Sequence, residues 1–305
     1  MTASNPPSEP TLHRLEANGI ELAAFEWRAE LRGALPTVLM VHATGFHARV
    51  WGDVIERLGP RHVISVDQRG HGRSENVMID DWAAVGRDLE AVIDHFDITG
   101  AIGVGHSMGS VAVVDAAAAR PEAFQRILLI DPVIMPPETY TMSAADSWHV
   151  DPDKGENHPT AKRKNAFASA DAMIERFRDR VPYSAFTAKA LRDYCEYGLL
   201  PAEEGEGFVL ACPPAIEASV YMTSRSHPEI YARIRAVSVP VMILRAMSRK
   251  KGNDVIDFRY SPTWPGLVNE FPDAREHHLQ SHTHFMPMED PELVARFVLD
   301  YDVQL

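Results

Sequence analysis

Gly105-His106-Ser107-Met108-Gly109 forms a G-x-S-x-G pentapeptide, and a serine framed in this way can serve as a nucleophile where the chain bends sharply around it. The pentapeptide directly follows the apolar run Ala101–His106 and precedes a helix-like stretch through Ala112–Ala119, the strand–turn–helix setting that such a bend requires. Side chains two positions either side of the serine would collide in that turn, which accounts for Gly105 and Gly109. The helix N-terminus beneath the hydroxyl would favour developing negative charge. An ordinary Gly-rich turn with an N-cap serine is the alternative without chemistry. A serine hydroxyl is a weak nucleophile at neutral pH and needs a base within hydrogen-bond reach. Histidines crowd the other end of the chain: His277, His278, His282 and His284. Together they could suggest a metal, but 277 and 278 point to opposite faces of a strand, and no carboxylate or cysteine spacing supports a site.

The elements that must position these groups alternate. Residues 12–28 read as two strands folded around Asn18-Gly19, a dipeptide suited to a tight hairpin turn. Strands follow at Thr37–His42, Val63–Asp67, Ala101–His106 and Ile127–Ile130, with helices around Val50–Leu58, Asp81–Phe96 and Ala112–Ala119. Such doubly buried strands alternating with helices imply a mostly parallel sheet covered on both sides. From 133 to about 238 the strand runs cease and helix-like stretches such as Asp171–Arg180 and Ala188–Tyr197 take over. The strand pattern resumes at Pro240–Ala246, followed by a helical stretch near Trp264–Phe271, a strand near Arg275–Leu279 and a helix over Pro291–Tyr301. The expected organisation is a loose tail over 1–10, an α/β core over 11–132 and 239–305, and a helical cap over 133–238.

Four motifs in this order resemble the α/β-hydrolase fold, in its lipase/esterase-like branch with an inserted cap. VHATGF (Val41–Phe46) resembles the family's H-G-x loop, DQRGHGRS (Asp67–Ser74) its D-x-R-G-x-G-x-S turn, GHSMG its nucleophile elbow, and THFMPMEDP (Thr283–Pro291) its terminal histidine loop. Ala43 and Thr283 depart from the pattern, each standing where the family has glycine. The resemblance implies Ser107 as nucleophile and His284 as general base, the H-F-x-P-x-E string after residue 284 favouring it over His282. It also implies an oxyanion hole from the backbone N–H groups of Thr44 and Met108. His42 reads as a residue that orders the loop. The acid stays open. The usual place, after the PVMILRA strand, holds Met247-Ser248-Arg249-Lys250-Lys251 and no carboxylate. Asp254 and Asp257 follow it, and Asp131 ends the ILLI strand. Asp131 is preferred because a strand end holds a side chain more rigidly than a charged loop, with a turn-capping role as its competitor.

Composition excludes much else. The chain has 305 residues, with 30 Lys+Arg against 43 Asp+Glu and a formal charge of −13, a balance ill-suited to nucleic acid. No run of about 18 apolar residues suggests a membrane span, and the first residues lack the pattern of a secretory signal. Two cysteines, Cys195 and Cys212, cannot build a disulfide framework. A cytoplasmic location is expected. The DQRGHGRS turn lacks the ending of a phosphate loop and reads as a tight, hydrogen-bonded turn. Lys162-Arg163-Lys164 reads most simply as a solvated face, with steering of an acidic substrate as the alternative. The insertion supplies Trp148, Phe167, Phe177, Phe186, Tyr194 and further aromatics, enough for its own core and part of an apolar pocket. The expected function is a cofactor-free serine hydrolase acting on a small-molecule ester. Lactone or carbon–carbon bond hydrolysis, or a catalytically silent binding protein on the same scaffold, are the alternatives.

Overall fold

The computed structural model describes residues 9–141, 158–249, 257 and 259–303. It opens with a hairpin of β1 (Thr11–Ala17) and β2 (Ile20–Trp27). Ala17 pairs with Ile20 across a two-residue turn in which Asn18 and Gly19 take φ of 51° and 81°. Two positive φ values suit Asn-Gly and match the twist of the strands they join.

β3 (Val38–Val41), α1 (Gly52–Arg57), β4 (Val63–Asp67), α2 (Ala83–His95), β5 (Ala101–His106), α3 (Met108–Ala119) and β6 (Phe124–Ile130) then alternate as expected. The insertion carries β7 (Ala166–Phe167), α4 (Ala170–Phe177), α5 (Ala188–Tyr197), β8 (Leu199–Pro201), β9 (Phe208–Leu210), α6 (Pro214–Met222) and α7 (Ile230–Ala236). β10 (Val241–Arg245), β11 (Ala274–His278), α8 (Met286–Glu289) and α9 (Pro291–Leu299) complete the described elements. The main sheet runs β1-β2-β4-β3-β5-β6-β10-β11, parallel from β4 onward, with β1 and β2 antiparallel at one edge.

Alternation along the buried strands divides the interior in two. Leu39, Val41, Ile64, Val66, Ile127, Leu129, Val241 and Ile243 face a cluster with α2, α3 and α7. Val38, Met40, Ile102, Val104, Leu128, Ile130, Met242 and Leu244 face a second cluster with α1, α9 and α5. Each strand therefore needs apolar residues on both faces, which is why its run lacks a polar period.

The insertion departs from an all-helical cap. β7, β9 and β8 form a small antiparallel sheet. Strands of two and three residues are too short to leave a periodic trace, and the turn between β8 and β9 rests on Gly205 and Gly207 at positive φ. α7 packs Ile230, Tyr231 and Ile234 into the first core cluster, so it covers the main sheet. The stretch near Trp264–Phe271 closes only one 3₁₀ turn, Leu267–Glu270. Among the described residues no helix is long and apolar enough to cross a membrane.

Candidate active site

The bend after β5 places Ser107 at φ 58° and ψ −119°, directly before α3. A non-glycine residue here carries strain of about 1–3 kcal/mol and persists only where its surroundings hold it. The Ser107 N–H donates to the Ile130 carbonyl at 2.9 Å, and its own carbonyl accepts from Ser110 N at 3.1 Å. A Cβ on Gly105 would stand 2.5 Å from Ser110 Cα and 2.6 Å from the Gly109 carbonyl oxygen. On Gly109 it would stand 2.4 Å from the Val41 carbonyl oxygen and 2.6 Å from that of His42. The second glycine is thus required by the end of β3, a neighbouring strand.

His284 reaches this serine from the loop after β11. Its Nε2 lies 3.1 Å from Ser107 Oγ and its Nδ1 2.6 Å from Asp131 Oδ2. The loop is tied by Thr283, whose N–H and hydroxyl both donate to Glu289 Oε2 at 2.8 Å. The departure from glycine at 283 therefore adds a hydrogen bond. His106 Nε2 donates to the His284 carbonyl at 2.8 Å, fixing residue 284 through its main chain. Burial, then the charge of His284, pushes the His106 pKa down to about 3, so this second imidazole stays neutral.

Asp131 follows β6 at φ 45° and is fully buried. Its Oδ1 accepts from Ala246 N at 2.9 Å, Ser261 Oγ at 2.5 Å and Thr263 Oγ1 at 3.1 Å. Burial alone would push this carboxyl upward. The bond and charge of His284, with Ser261 and the Ala246 amide, outweigh it and hold Asp131 below its usual range. The structure thus brings together Ser107, His284 and Asp131. Asp257 instead pairs with Arg259 at 2.6 Å in an exposed position, and Asp254 lies outside the described residues. Ser261 and Thr263 escaped the sequence reading, because nothing in a Ser-Pro-Thr string marks it as a carboxylate clamp. The other histidines are engaged elsewhere: His277 against the Phe297 ring, His278 with Ser248 and His282 with Asp290. Among the described residues no group of three or more His, Cys, Asp or Glu side chains is placed to hold a metal.

Thr44 and Met108 lie together, Thr44 Oγ1 standing 3.8 Å from Met108 Sδ. The Met108 amide belongs to the first turn of α3, where N–H groups lack intrahelical acceptors. The loop carrying Thr44 is braced by the Asp67–Ser74 turn. His42 Nδ1 donates to the Ala43 carbonyl at 2.8 Å while its Nε2 accepts from Gln68 N at 3.0 Å. Gly45 N donates to His71 Nε2 at 3.0 Å. Within the turn, Arg69 clasps Asp88 through two bonds of 2.6 and 2.7 Å. Asp67 accepts from Ala48 N at 2.6 Å and Arg73 N at 2.8 Å, yet burial still pushes its pKa up to about 6.

Over this loop sits the insertion. Phe46 packs against Tyr194 and Phe186, with ring centroids 5.1 and 6.3 Å away, and Trp148 lies outside the described residues. Arg163 corrects the sequence reading: it is not part of a solvated face. It pairs with buried Glu217 and donates to Tyr194 Oη at 3.1 Å. The partner lies far along the chain, so a basic run could not announce it. Glu217 in turn abuts the loop, since a Cβ on Gly45 would stand 2.7 Å from its Oε1. Gly45, Phe46, Arg163, Tyr194 and Cys212 enclose a cavity of about 10 Å³, room for roughly one water.

Comparison with known proteins agrees with this architecture. The family model described as "Alpha/beta hydrolase family" matches residues 38–297. A 2-(acetamidomethylene)succinate hydrolase of Mesorhizobium japonicum is 29% identical over 243 residues, 76% of this chain and 77% of that protein. Lipase LipV of Mycobacterium tuberculosis is 29% identical over 122 residues, 38% of this chain, and the match spans 44% of LipV. The crystal structure of an E-2-(acetamidomethylene)succinate hydrolase superposes with a TM-score of 0.70 at 24% identity, covering 95% of this chain and 97% of that one, a likeness of fold. With the profile spanning most of its length, the chain belongs to the alpha/beta hydrolase family.

Proposed function

We propose that the protein is a serine hydrolase that cleaves a carboxylic ester of a small apolar or aromatic substrate through an acyl-enzyme on Ser107. The observation that carries this reading is the His284 imidazole, spanning 3.1 Å to Ser107 Oγ and 2.6 Å to Asp131 Oδ2. Asp131, held ionised, accepts a hydrogen bond from Nδ1–H and so keeps the Nε2 lone pair facing the serine. As Ser107 Oγ attacks the ester carbonyl, His284 takes its proton. The carbonyl oxygen becomes an oxyanion that the Thr44 and Met108 amides stabilise. Collapse of the intermediate expels the alcohol, to which His284 returns the proton. Water, deprotonated by the same imidazole, then releases the acid and restores Ser107. Residues 133–238 act as the cap that selects the substrate, with Phe186 and Tyr194 beside Phe46 supplying an apolar wall.

A second reading, a substrate bearing its own carboxylate, is favoured by Arg163. This cation lies beside the oxyanion loop, and Glu217 and Tyr194 each accept one of its five N–H donors. One relative is a 2-(acetamidomethylene)succinate hydrolase, which fits such a substrate.

A fluorophosphonate probe should label the protein at Ser107, and Ser107→Ala should abolish both labelling and hydrolysis of p-nitrophenyl esters. A folded wild-type protein that neither labels nor turns over any ester would overturn the proposal. Comparing neutral esters with dicarboxylate monoesters separates the two substrate classes.

A further inference from the structure

We infer that His71, in the turn between β4 and α2, is a positioning residue for the oxyanion hole: its Nε2 lone pair accepts the Gly45 N–H and so holds the turn that aims the Thr44 amide. The inference rests on the acyl-enzyme reading above.

Ala43 to Phe46 form a β-turn closed by Phe46 N donating to the Ala43 carbonyl at 3.2 Å. Gly45 is its third residue, at φ 77°, the value of a type II turn. In that type the peptide joining Thr44 to Gly45 is turned over relative to the commoner type I. The Gly45 N–H belongs to that peptide, and it ends on His71 Nε2 at 3.0 Å. Were the peptide to flip, the Thr44 carbonyl would face the imidazole lone pair, an acceptor against an acceptor. The flip would rotate ψ of Thr44 against φ of Gly45 and free the turn from the His71 anchor. The His71 contact therefore fixes the turn that presents the Thr44 amide, without touching substrate.

The imidazole is itself set for this task. Its Nδ1 lies 2.9 Å from the Arg69 carbonyl, which can only accept, so the proton resides on Nδ1 and Nε2 is bare. Burial pushes the ring's pKa down to about 4, which keeps it neutral at ordinary pH. Arg69 is anchored in turn by its paired bonds to Asp88, so the brace extends from the loop to α2. The Asp67–Ser74 turn holds no group of the triad; this contact gives it a part in catalysis.

The test uses the full chain with His71→Leu, His71→Asn and His71→Gln, read by kcat and KM on p-nitrophenyl acetate, by affinity for a trifluoromethyl ketone, and by thermal melting. The ketone forms a tetrahedral adduct whose oxygen occupies the oxyanion hole. Leu offers no acceptor, and the Asn amide ends near the Nδ1 position, short of Gly45. Both should lower kcat about 10- to 100-fold with KM little changed, and weaken the ketone by a similar factor. Gln, whose terminal oxygen reaches the Nε2 position, should recover most of both. A purely structural role would lower melting without this split or this rescue. If Leu does not fold, Asn against Gln carries the test. Equal kcat and equal ketone affinity in Asn, Gln and wild type would overturn the inference. Ser107→Ala, run in parallel, separates the two failures: if it retains turnover, the acyl-enzyme reading fails and the inference with it. If it is inactive while the Asn and Leu variants match wild type, only the inference falls.

Discussion

On the core side of the site, Ser107, His284 and Asp131 each have a hydrogen bond with a main-chain atom at one end or both. The serine N–H is bonded to the Ile130 carbonyl, the His284 carbonyl accepts from His106, and Asp131 accepts from the Ala246 amide. Across the Ala43–Phe46 turn, the insertion makes contacts of side chain with side chain: Arg163 to Glu217 and Tyr194, and Phe186 and Tyr194 to Phe46. Main-chain anchors survive most substitutions, whereas a side-chain contact disappears with its residue. A bond with a main-chain atom at one end depends on one side chain or none, so these core contacts can be lost in fewer ways than the side-chain pairs of the insertion.

The largest effect should come from the core side. Asp131→Asn would leave His284 without an anionic partner and should lower kcat by on the order of 10⁴-fold in a folded protein, whereas Asp257→Asn should leave it nearly unchanged. Steady-state ester hydrolysis decides between them, and the reverse result would break the assignment of the acid. On the insertion side, Arg163→Met strands the buried Glu217 carboxylate and should cost about 3–5 kcal/mol in urea unfolding. The double variant Arg163→Met/Glu217→Leu should recover most of that loss. If the single variant is as stable as wild type, the cover is not held in this way.

Acid should weaken the core side in particular. Burial holds His47, His71 and His106 at pKa values of about 3, 4 and 3. Their unfolded counterparts take up protons below about 6.5, so the stability present above that pH is lost as pH falls toward the folded values, about 2 kcal/mol for each by pH 5. Asp67 and Asp193, raised by burial to about 6, act in the opposite sense, because the native state protonates first. Each returns about 1.4 kcal/mol at pH 5, so these five groups together leave a loss on the order of 3 kcal/mol between pH 7 and 5, to which His42, also held low by burial, adds. Chemical denaturation at both pH values tests this, and an unchanged midpoint would contradict it. A pair of glycines gives the finest contrast. Gly109→Ala, driven against the Val41 and His42 carbonyls, should cost about 3 kcal/mol, while Gly205→Ala, at positive φ in open space, should cost only about 1 kcal/mol. Equal melting temperatures for the two would erase the distinction.

Legibility in the sequence follows how local each feature is. The bounds of β4, β5 and α5 match the sequence reading because each is a local pattern ended by a local signal. The hairpin turn at Asn18-Gly19 and the bend at Ser107 were legible for the same reason. β7, β8 and β9 were not, being too short to show a period. Nor was the turning of Arg163 toward Glu217, because three adjacent basic residues carry no sign of which way each side chain turns. His42 could be read as ordering its loop, but the part of His71 could not, since its partner Gly45 is 26 residues away.

Read alone, the chain of residues determined the alternating scaffold, the strained serine and the histidine loop, because strand period, glycine placement and short motifs are all local properties. Tertiary structure decided which carboxylate meets His284, which hydroxyls clamp it and where Arg163 points. Asp131 and His284 stand 153 positions apart and 2.6 Å from each other, and no pattern within a few residues encodes a distance between segments so remote.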